Sequence, residues 1–110
     1  MSKLVPGLHG RKELVVTPAM LASSVGSGLV DVFSTAMMVA WMEATAVEVV
    51  QGLLEDGQTT VGTGIQVAHL AATPCGMAVR FEAELTDVSP NGKGLSFKVA
   101  AYDAAGLIGE

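Results

Sequence analysis

A proline-free stretch at residues 35–55 is apolar around most of its helical circumference, and this leaves few folds open to the chain. The pattern predicts one long α-helix, with Ser34 as the N-cap and Gly57 as the residue that stops it. At about 100° per residue, the polar side chains gather in one stripe. That stripe contains Glu48, Gln51, Gly52 and Glu55, with Thr45 at its margin. Because the remaining surface is apolar, we expect a sheet to wrap around the helix.

The rest of the chain predicts an antiparallel sheet that supplies this cover. Residues 77–88 alternate clearly, with Phe81 on an apolar face and Glu82 on a charged one. Strands are predicted, in chain order, at residues 11–16, 29–33, 59–70, 77–88 and 95–102, with a brief helical turn at 20–24. A turn at 103–106 opens a last strand that has barely begun at Glu110. Residues 1–110 are therefore predicted to form one α+β domain with its final strand cut short.

Composition limits the classes of partner. Only 15% of the residues are charged, against about 25% in a typical domain, and the net charge is −5. Six Lys and Arg residues are too few for nucleic-acid binding, and no segment has the pattern of a membrane span. Residues 1–7 lack the apolar core of a signal peptide, and the single Cys75 fits a reducing cytoplasm. The low charge leads us to expect a homodimer or a dimer of dimers.

Glu43 interrupts the apolar part of the helix. It lies roughly 140° from the polar stripe, beside Val39 and Val47. Burying an unpaired carboxylate costs several kcal/mol, so this position requires an explanation. Either Glu43 pairs with an arginine or caps a neighbouring backbone, or it lies desolvated at the bottom of a pocket. In the second case the carboxylate is suited to act as a general base or a nucleophile.

His69 and Thr35 are the other candidates for chemistry. In the predicted strand at 59–70, His69 lies on the same face as Val67, two residues before it, and is therefore expected to point toward the helix. A histidine there is either a hydrogen-bonded residue at the rim of the core or a catalyst. Thr35 stands beside the helix start, where it either caps the helix or takes part in chemistry. Backbone N–H groups at that end stabilise developing negative charge.

Three blocks of the sequence resemble the hot dog-fold thioesterases, in particular the branch that contains fluoroacetyl-CoA thioesterase. Residues 32–43 read VFSTAMMVAWME and are similar to the family's central-helix motif. Residues 61–74 read VGTGIQVAHLAATP and resemble the strand and loop that follow. Residues 95–103 read LSFKVAAYD and resemble the penultimate strand. The resemblance, which begins near residue 15, implies a hot dog fold, an antiparallel sheet wrapped around a long central helix.

The resemblance also implies a catalytic set, which falls on Thr35, Glu43 and His69. It implies that Gly62 is the strand glycine whose missing side chain lets the substrate approach the backbone. The resemblance further implies dimers with each active site at the subunit interface. No metal or redox cofactor is implied, and coenzyme A is expected as part of the substrate. The expected reaction is hydrolysis of a small acyl-CoA thioester to a free acid and CoA.

Two features differ from the fluoroacetyl-specific branch. That branch has aromatic gating residues before the helix, where residues 26–29 of this chain read Gly-Ser-Gly-Leu. The family's last strand continues with a Gly-Thr-His-x-Arg-like segment that helps to hold the coenzyme, and this sequence reaches Glu110 before it. A non-catalytic hot dog module that binds an acyl thioester or a small apolar ligand is therefore the alternative function. Hydratase or dehydratase chemistry is a third, although the spacing from Thr35 to Glu43 argues against it.

Overall fold

One long helix lies against a four-stranded antiparallel sheet in the part of the chain that the computed structural model describes, residues 3–110. Residues 1 and 2, part of the segment assessed for a signal peptide, lie outside it. The helices are α1 (Ala22–Val25) and α2 (Thr35–Gln51), preceded by a 3₁₀ turn at Pro18–Met20. The strands, in their order in the sheet, are β1 (His9–Val15), β2 (Ala78–Val88), β3 (Leu95–Asp103) and β4 (Gly106–Gly109). No helix in these residues has the length and apolarity that crossing a membrane requires.

The helix α2 begins where the sequence predicts. Ser34 is its N-cap, and the Ser34 Oγ accepts a hydrogen bond of 3.1 Å from the Met37 N–H. The helix ends earlier than predicted, at Gln51, because Gly52 follows and glycine is a poor helix former. The predicted stop, Gly57, lies beyond this end in a turn, with φ of +83°.

The alternation of β2 builds the core between sheet and helix. Its apolar residues are buried, as the sequence pattern predicts: Val79, Phe81, Ala83 and Leu85. The Phe81 ring lies next to two other aromatic rings, with its centroid 6.3 Å from that of Phe33 and 6.1 Å from that of Trp41. These contacts confirm the mixed α+β class, with the long helix packed on an antiparallel sheet.

Within residues 3–110 the strands cover one side of α2. The buried residues of the helix are Met38, Met42, Thr45 and Val50. Thr45, expected at the margin of the polar stripe, is fully buried, and its hydroxyl donates to the Trp41 carbonyl oxygen at 2.7 Å. Glu43 lies about 100° around the helix from Met42 and is exposed. The prediction that Glu43 is buried among valines is therefore wrong for a single chain, because the four strands pack elsewhere on the helix.

The strand predicted at residues 29–33 does not form. The segment makes one isolated bridge, between Leu21 and Phe33, and the residues before Phe33 form bends. The Val32 N–H donates to the Val30 carbonyl oxygen at 3.0 Å, and this local turn prevents an extended pairing.

The strand predicted at residues 59–70 forms only at its end. The segment runs without a turn or bend, and an isolated bridge joins His69 to Gly109. Ala68 and Glu110 exchange two backbone hydrogen bonds beside this bridge. Residues 59–67 have no hydrogen-bonded strand beside them in the described chain. The side of this segment that faces away from β4 is an open edge.

Candidate active site

Thr35 and His69 are in contact, although 34 residues separate them in the sequence. Thr35 is the first residue of α2, so it stands at the positive end of the helix dipole. The Thr35 Oγ1 and the His69 Nδ1 are 2.7 Å apart and form a hydrogen bond. The cap itself is Ser34, which leaves the Thr35 hydroxyl available for this contact. The structure therefore brings together two of the three residues in the implied catalytic set.

The second ring nitrogen of His69 has no partner. The Nε2 is buried and makes no hydrogen bond with any residue from 3 to 110. A buried polar atom normally has a partner, because leaving one unsatisfied costs about 1–3 kcal/mol. Since Nδ1 contacts Thr35, Nε2 is the ring atom of His69 that is left without a hydrogen-bond partner.

Pairing with β4 fixes the backbone on which His69 stands. At the bridge, Gly109 leaves no room for a side chain. A Cβ at Gly109 would lie 3.0 Å from the Met38 Cε and 3.2 Å from the Ala68 carbonyl oxygen. Sequence reasoning missed Gly109, because its need to be a glycine follows from this packing and not from any pattern in the sequence.

Glu43 and Gly62 form a second contact between α2 and the segment at residues 59–70. A Cβ added at Gly62 would collide with the Glu43 Oε2 and would lie 3.1 Å from the Glu43 Cδ. The Glu43 carboxylate therefore occupies the volume that a side chain at residue 62 would fill. Within residues 3–110 the Glu43 carboxylate has no hydrogen-bond or ion-pair partner, so neither the arginine pair nor the backbone cap predicted as alternatives is formed.

The two contacts are separate half-sites within one chain. Thr35 and Glu43 are eight residues apart on α2, which corresponds to a rise of about 12 Å. Gly62 and His69 are seven residues apart on an unbent segment, a span of up to about 23 Å. The structure thus places Thr35 with His69 at one end of the segment and Glu43 with Gly62 at the other. It does not bring the two pairs together in a single chain.

The side chains at the half-sites are suited to acid–base chemistry. The imidazole of His69 has two ring nitrogens that can donate or accept a hydrogen bond, and a carboxylate is an acceptor. The backbone N–H groups at the start of α2 favour negative charge. No group of three or more His, Cys, Asp or Glu side chains in the described part of the chain is placed to hold a metal ion.

Comparison with known proteins identifies a family for this arrangement. The sequence profile of the fluoroacetyl-CoA-specific thioesterases, FlK, matches residues 16–110. The fluoroacetyl-CoA thioesterase of Streptantibioticus cattleyicolor is 43% identical over 79 residues, which make up 72% of this chain and 55% of that protein. The match therefore spans just over half the length of this curated relative.

Solved structures agree with the sequence comparison. A variant of the fluoroacetyl-CoA-specific thioesterase FlK in complex with fluoroacetate and CoA superposes with a TM-score of 0.89 at 34% identity, over 96% of this chain and 88% of that one. A thioesterase superfamily member from Thermus thermophilus superposes with a TM-score of 0.88 at 32% identity, over 99% and 80%. The profile match covers the helix, the extended segment and the strands that build both half-sites. The chain therefore belongs to the fluoroacetyl-CoA-specific thioesterase family, within the hot dog-fold thioesterases.

Proposed function

We propose that the protein is an acyl-CoA thioesterase that hydrolyses a small acyl thioester to a free acid and CoA. The observation that carries this proposal is the Thr35–His69 hydrogen bond at the start of α2, with the His69 Nε2 buried and unpartnered. A module that only binds a thioester has no need for an oriented imidazole. Membership of a family named for thioester hydrolysis, and the CoA complex of an FlK variant, support the catalytic function over the binding module.

Each of the three side chains has a role in this reaction. Glu43 supplies the basic oxygen, either as the base that takes a proton from water or as the nucleophile. His69 donates a proton to the carbonyl oxygen or to the leaving thiolate, and Thr35 orients the imidazole through its hydrogen bond. When water attacks, its oxygen bonds to the thioester carbon and the C–S bond breaks. The thiolate then leaves with a proton as the thiol.

The reaction as proposed uses no metal and no redox cofactor. A thioester carbonyl is already electrophilic, so positioning, a base and stabilisation of the oxyanion are sufficient. Coenzyme A takes part only as the leaving half of the substrate. We place the protein in the cytoplasm, and the single free thiol of Cys75, which is exposed, fits a reducing compartment.

A second copy of the chain would complete the site. Val61 and Ile65 on the open edge are 82% and 47% exposed, and the nearby Ala36 and Ala40 on α2 are exposed as well. Antiparallel pairing of two such edges would satisfy their backbone groups and cover this apolar surface. We propose that the protein is a homodimer joined at residues 59–67, with a dimer of dimers as the larger form.

The register of such a pairing determines whether the half-sites meet. If the two-fold axis passes between Ile65 and Gln66, Gly62 of one copy lies opposite His69 of the other. Directly opposed residues have Cβ positions about 5 Å apart on the same face. Because the Cβ direction of Gly62 points at Glu43, the carboxylate would then lie beside the other copy's imidazole. Each site would contain Glu43 from one copy and Thr35 with His69 from the other.

We expect the protein to sediment as a dimer or a dimer of dimers at micromolar concentration. The open edge and the exposed apolar residues on α2 are the physical reason, since unpaired edges and apolar patches favour association. Analytical ultracentrifugation over a dilution series measures this directly. A well-folded monomer at micromolar concentration would contradict the shared site, because Glu43 and His69 would then have no means of meeting.

The activity itself is tested with a panel of short-chain, medium-chain and aryl acyl-CoA thioesters. Release of thiol is followed with a chromogenic disulfide reagent, with Cys75 replaced by serine so that only the product thiol reacts. Hydrolysis of at least one thioester is the expected result. Binding of acyl-CoA without hydrolysis of any would favour the binding module, and neither binding nor hydrolysis would contradict both functions.

Gly62→Ala should lower turnover while leaving the fold intact. The added methyl group would collide with the Glu43 Oε2, so the carboxylate must move from its place. A displacement of about 1 Å at a reacting group can cost up to about 10²-fold in rate, and we expect a fall in kcat of at least about tenfold. Gly52→Ala is the control, because Gly52 lies outside residues 59–67 and a Cβ there meets nothing within 4 Å. Equal activity in the two variants would contradict the role given to Gly62.

A further inference from the structure

Thr73 is fully buried, and its side chain and backbone bind two different parts of the fold. The Thr73 hydroxyl donates to the Asp103 Oδ2 at 2.8 Å. The Thr73 carbonyl oxygen accepts a hydrogen bond of 2.8 Å from the Phe33 N–H. Asp103 is the last residue of β3, and its other carboxylate oxygen accepts from the Ala105 N–H at 2.8 Å. Thr73 therefore joins the β3–β4 turn to the segment that enters α2.

These contacts close a ring around the Thr35–His69 pair. Phe33 lies two residues before Thr35, and Thr73 lies four residues after His69. One end of the ring is closed by the hydrogen bond between the Thr35 and His69 side chains, and the other by the backbone hydrogen bond between Phe33 and Thr73. The N–H groups of Leu70 and Ala71 both donate to the Ile108 carbonyl oxygen, so the His69 side of the ring is already held by β4. A shift of the Thr73 backbone would therefore move Thr35 through Phe33 and change its separation from His69.

Two features give Thr73 a fixed position within this ring. The next residue is Pro74, and a residue before proline is restricted to extended backbone conformations. The hydroxyl bond to Asp103 then fixes where the extended backbone lies relative to the sheet. Because the side chain is fully buried, water cannot replace this bond when the hydroxyl is removed.

We propose that Thr73 is a positioning residue that holds the Thr35 hydroxyl against the His69 imidazole by anchoring the segment that enters α2, through Phe33, to Asp103. The proposal rests on the proposed function only for its effect on turnover. Its effect on the Thr35–His69 hydrogen bond is observable whether or not the protein hydrolyses a thioester.

The test compares Thr73→Val, which keeps the shape and removes the donor, with Thr73→Ser, which keeps the donor. For Thr73→Val we expect kcat to fall by at least about tenfold, since small displacements at a reacting group have large effects on rate. The KM should change little, because Thr73 has no contact with substrate in this proposal. Thr73→Ser should keep most of the activity. Asp103→Ala removes the acceptor instead and should have the same effect as Thr73→Val.

The spectroscopic readout is the ¹⁵N shifts of the His69 ring nitrogens. Loss of the Thr35 hydrogen bond should move the Nδ1 signal in Thr73→Val and not in Thr73→Ser. His9, the other of the two histidines, serves as an internal reference because it lies in β1 and contacts the Gly7 carbonyl oxygen. A shift of the His69 signals in a protein without turnover would support the positioning role and contradict the proposed function.

Thr45→Val is the matched control for a general loss of stability. Thr45 is also fully buried, and its hydroxyl also makes one hydrogen bond, to the Trp41 carbonyl oxygen. Thr45→Val should therefore lower the melting temperature without moving the His69 signals or lowering kcat. An equal loss of kcat in Thr45→Val and Thr73→Val would overturn the proposal. Unchanged His69 signals in both Thr73→Val and Asp103→Ala would also overturn it.

Discussion

A heterodimer of Glu43→Gln with His69→Ala should be active, although neither variant is expected to be active alone. In the proposed shared site, each active centre takes Glu43 from one copy and His69 from the other. The heterodimer then has one centre with both substitutions and one centre with neither. We expect about half of the wild-type turnover per dimer, since one of two symmetry-related sites is intact. Co-expression with two affinity tags isolates this species, and thiol release measures its rate.

The same experiment distinguishes a shared site from one built within a single chain. If Glu43 and His69 acted in the same copy, both centres of the heterodimer would carry one substitution and no activity would return. The heterodimer of Glu43→Gln with wild-type chain is the control, and it should also retain about half of the activity. An inactive mixed heterodimer beside an active control would contradict the pairing of residues 59–67 in the proposed register.

The parts of the fold that depend on local pattern were predictable from the sequence. Ser34 is predictable as the N-cap because it precedes a long helical pattern, and its side chain accepts a hydrogen bond from the Met37 N–H. The apolar face of β2 was predicted from its alternation, and Phe81 is fully buried. Thr35 is identified by its place at the helix start and His69 by the face of the predicted strand on which it lies. The structure places the two in hydrogen-bond contact.

The parts that depend on distant packing were not predictable in this way. A helical wheel gives the angle between side chains but does not say which angles the sheet covers. Thr45 was therefore expected near solvent and is buried, whereas Glu43 was expected among valines and is exposed. Pairing partners are also not encoded locally, so the strand predicted at residues 59–70 forms only one bridge, at His69.

The exposure of Glu43 changes the reason for its importance. A buried, unpaired carboxylate would have required an explanation by its energetic cost alone. In the single chain no such cost arises, because the carboxylate is exposed and Gly62 gives it space. What marks the position is the combination of that space with an open strand edge and an unpartnered His69 Nε2. The carboxylate, the strand edge and the imidazole nitrogen each lack a hydrogen-bond partner within residues 3–110.

Glu43→Gln should lower kcat by about 10²-fold or more, because it keeps the shape of the side chain and removes the basic oxygen. The free energy of unfolding should stay the same or rise, because in the proposed dimer a neutral amide costs less to cover than a carboxylate. Dimerisation should be retained, since the substitution leaves residues 59–67 unchanged. Steady-state kinetics, thermal unfolding and sedimentation of the same preparation measure the three quantities together.

Glu48→Gln is the matched control on the same helix. Glu48 is also exposed, and it accepts a hydrogen bond from the Lys12 Nζ at 3.0 Å, a surface pair worth at most about 1 kcal/mol. Its substitution should therefore reduce stability slightly and leave turnover unchanged, the reverse of the result expected at Glu43. If Glu43→Gln instead hydrolysed acyl-CoA at the wild-type rate, the carboxylate would have no part in the chemistry. The reaction would then rest on Thr35 and His69 alone, and the partner's contribution to the site would have to come from a group other than Glu43.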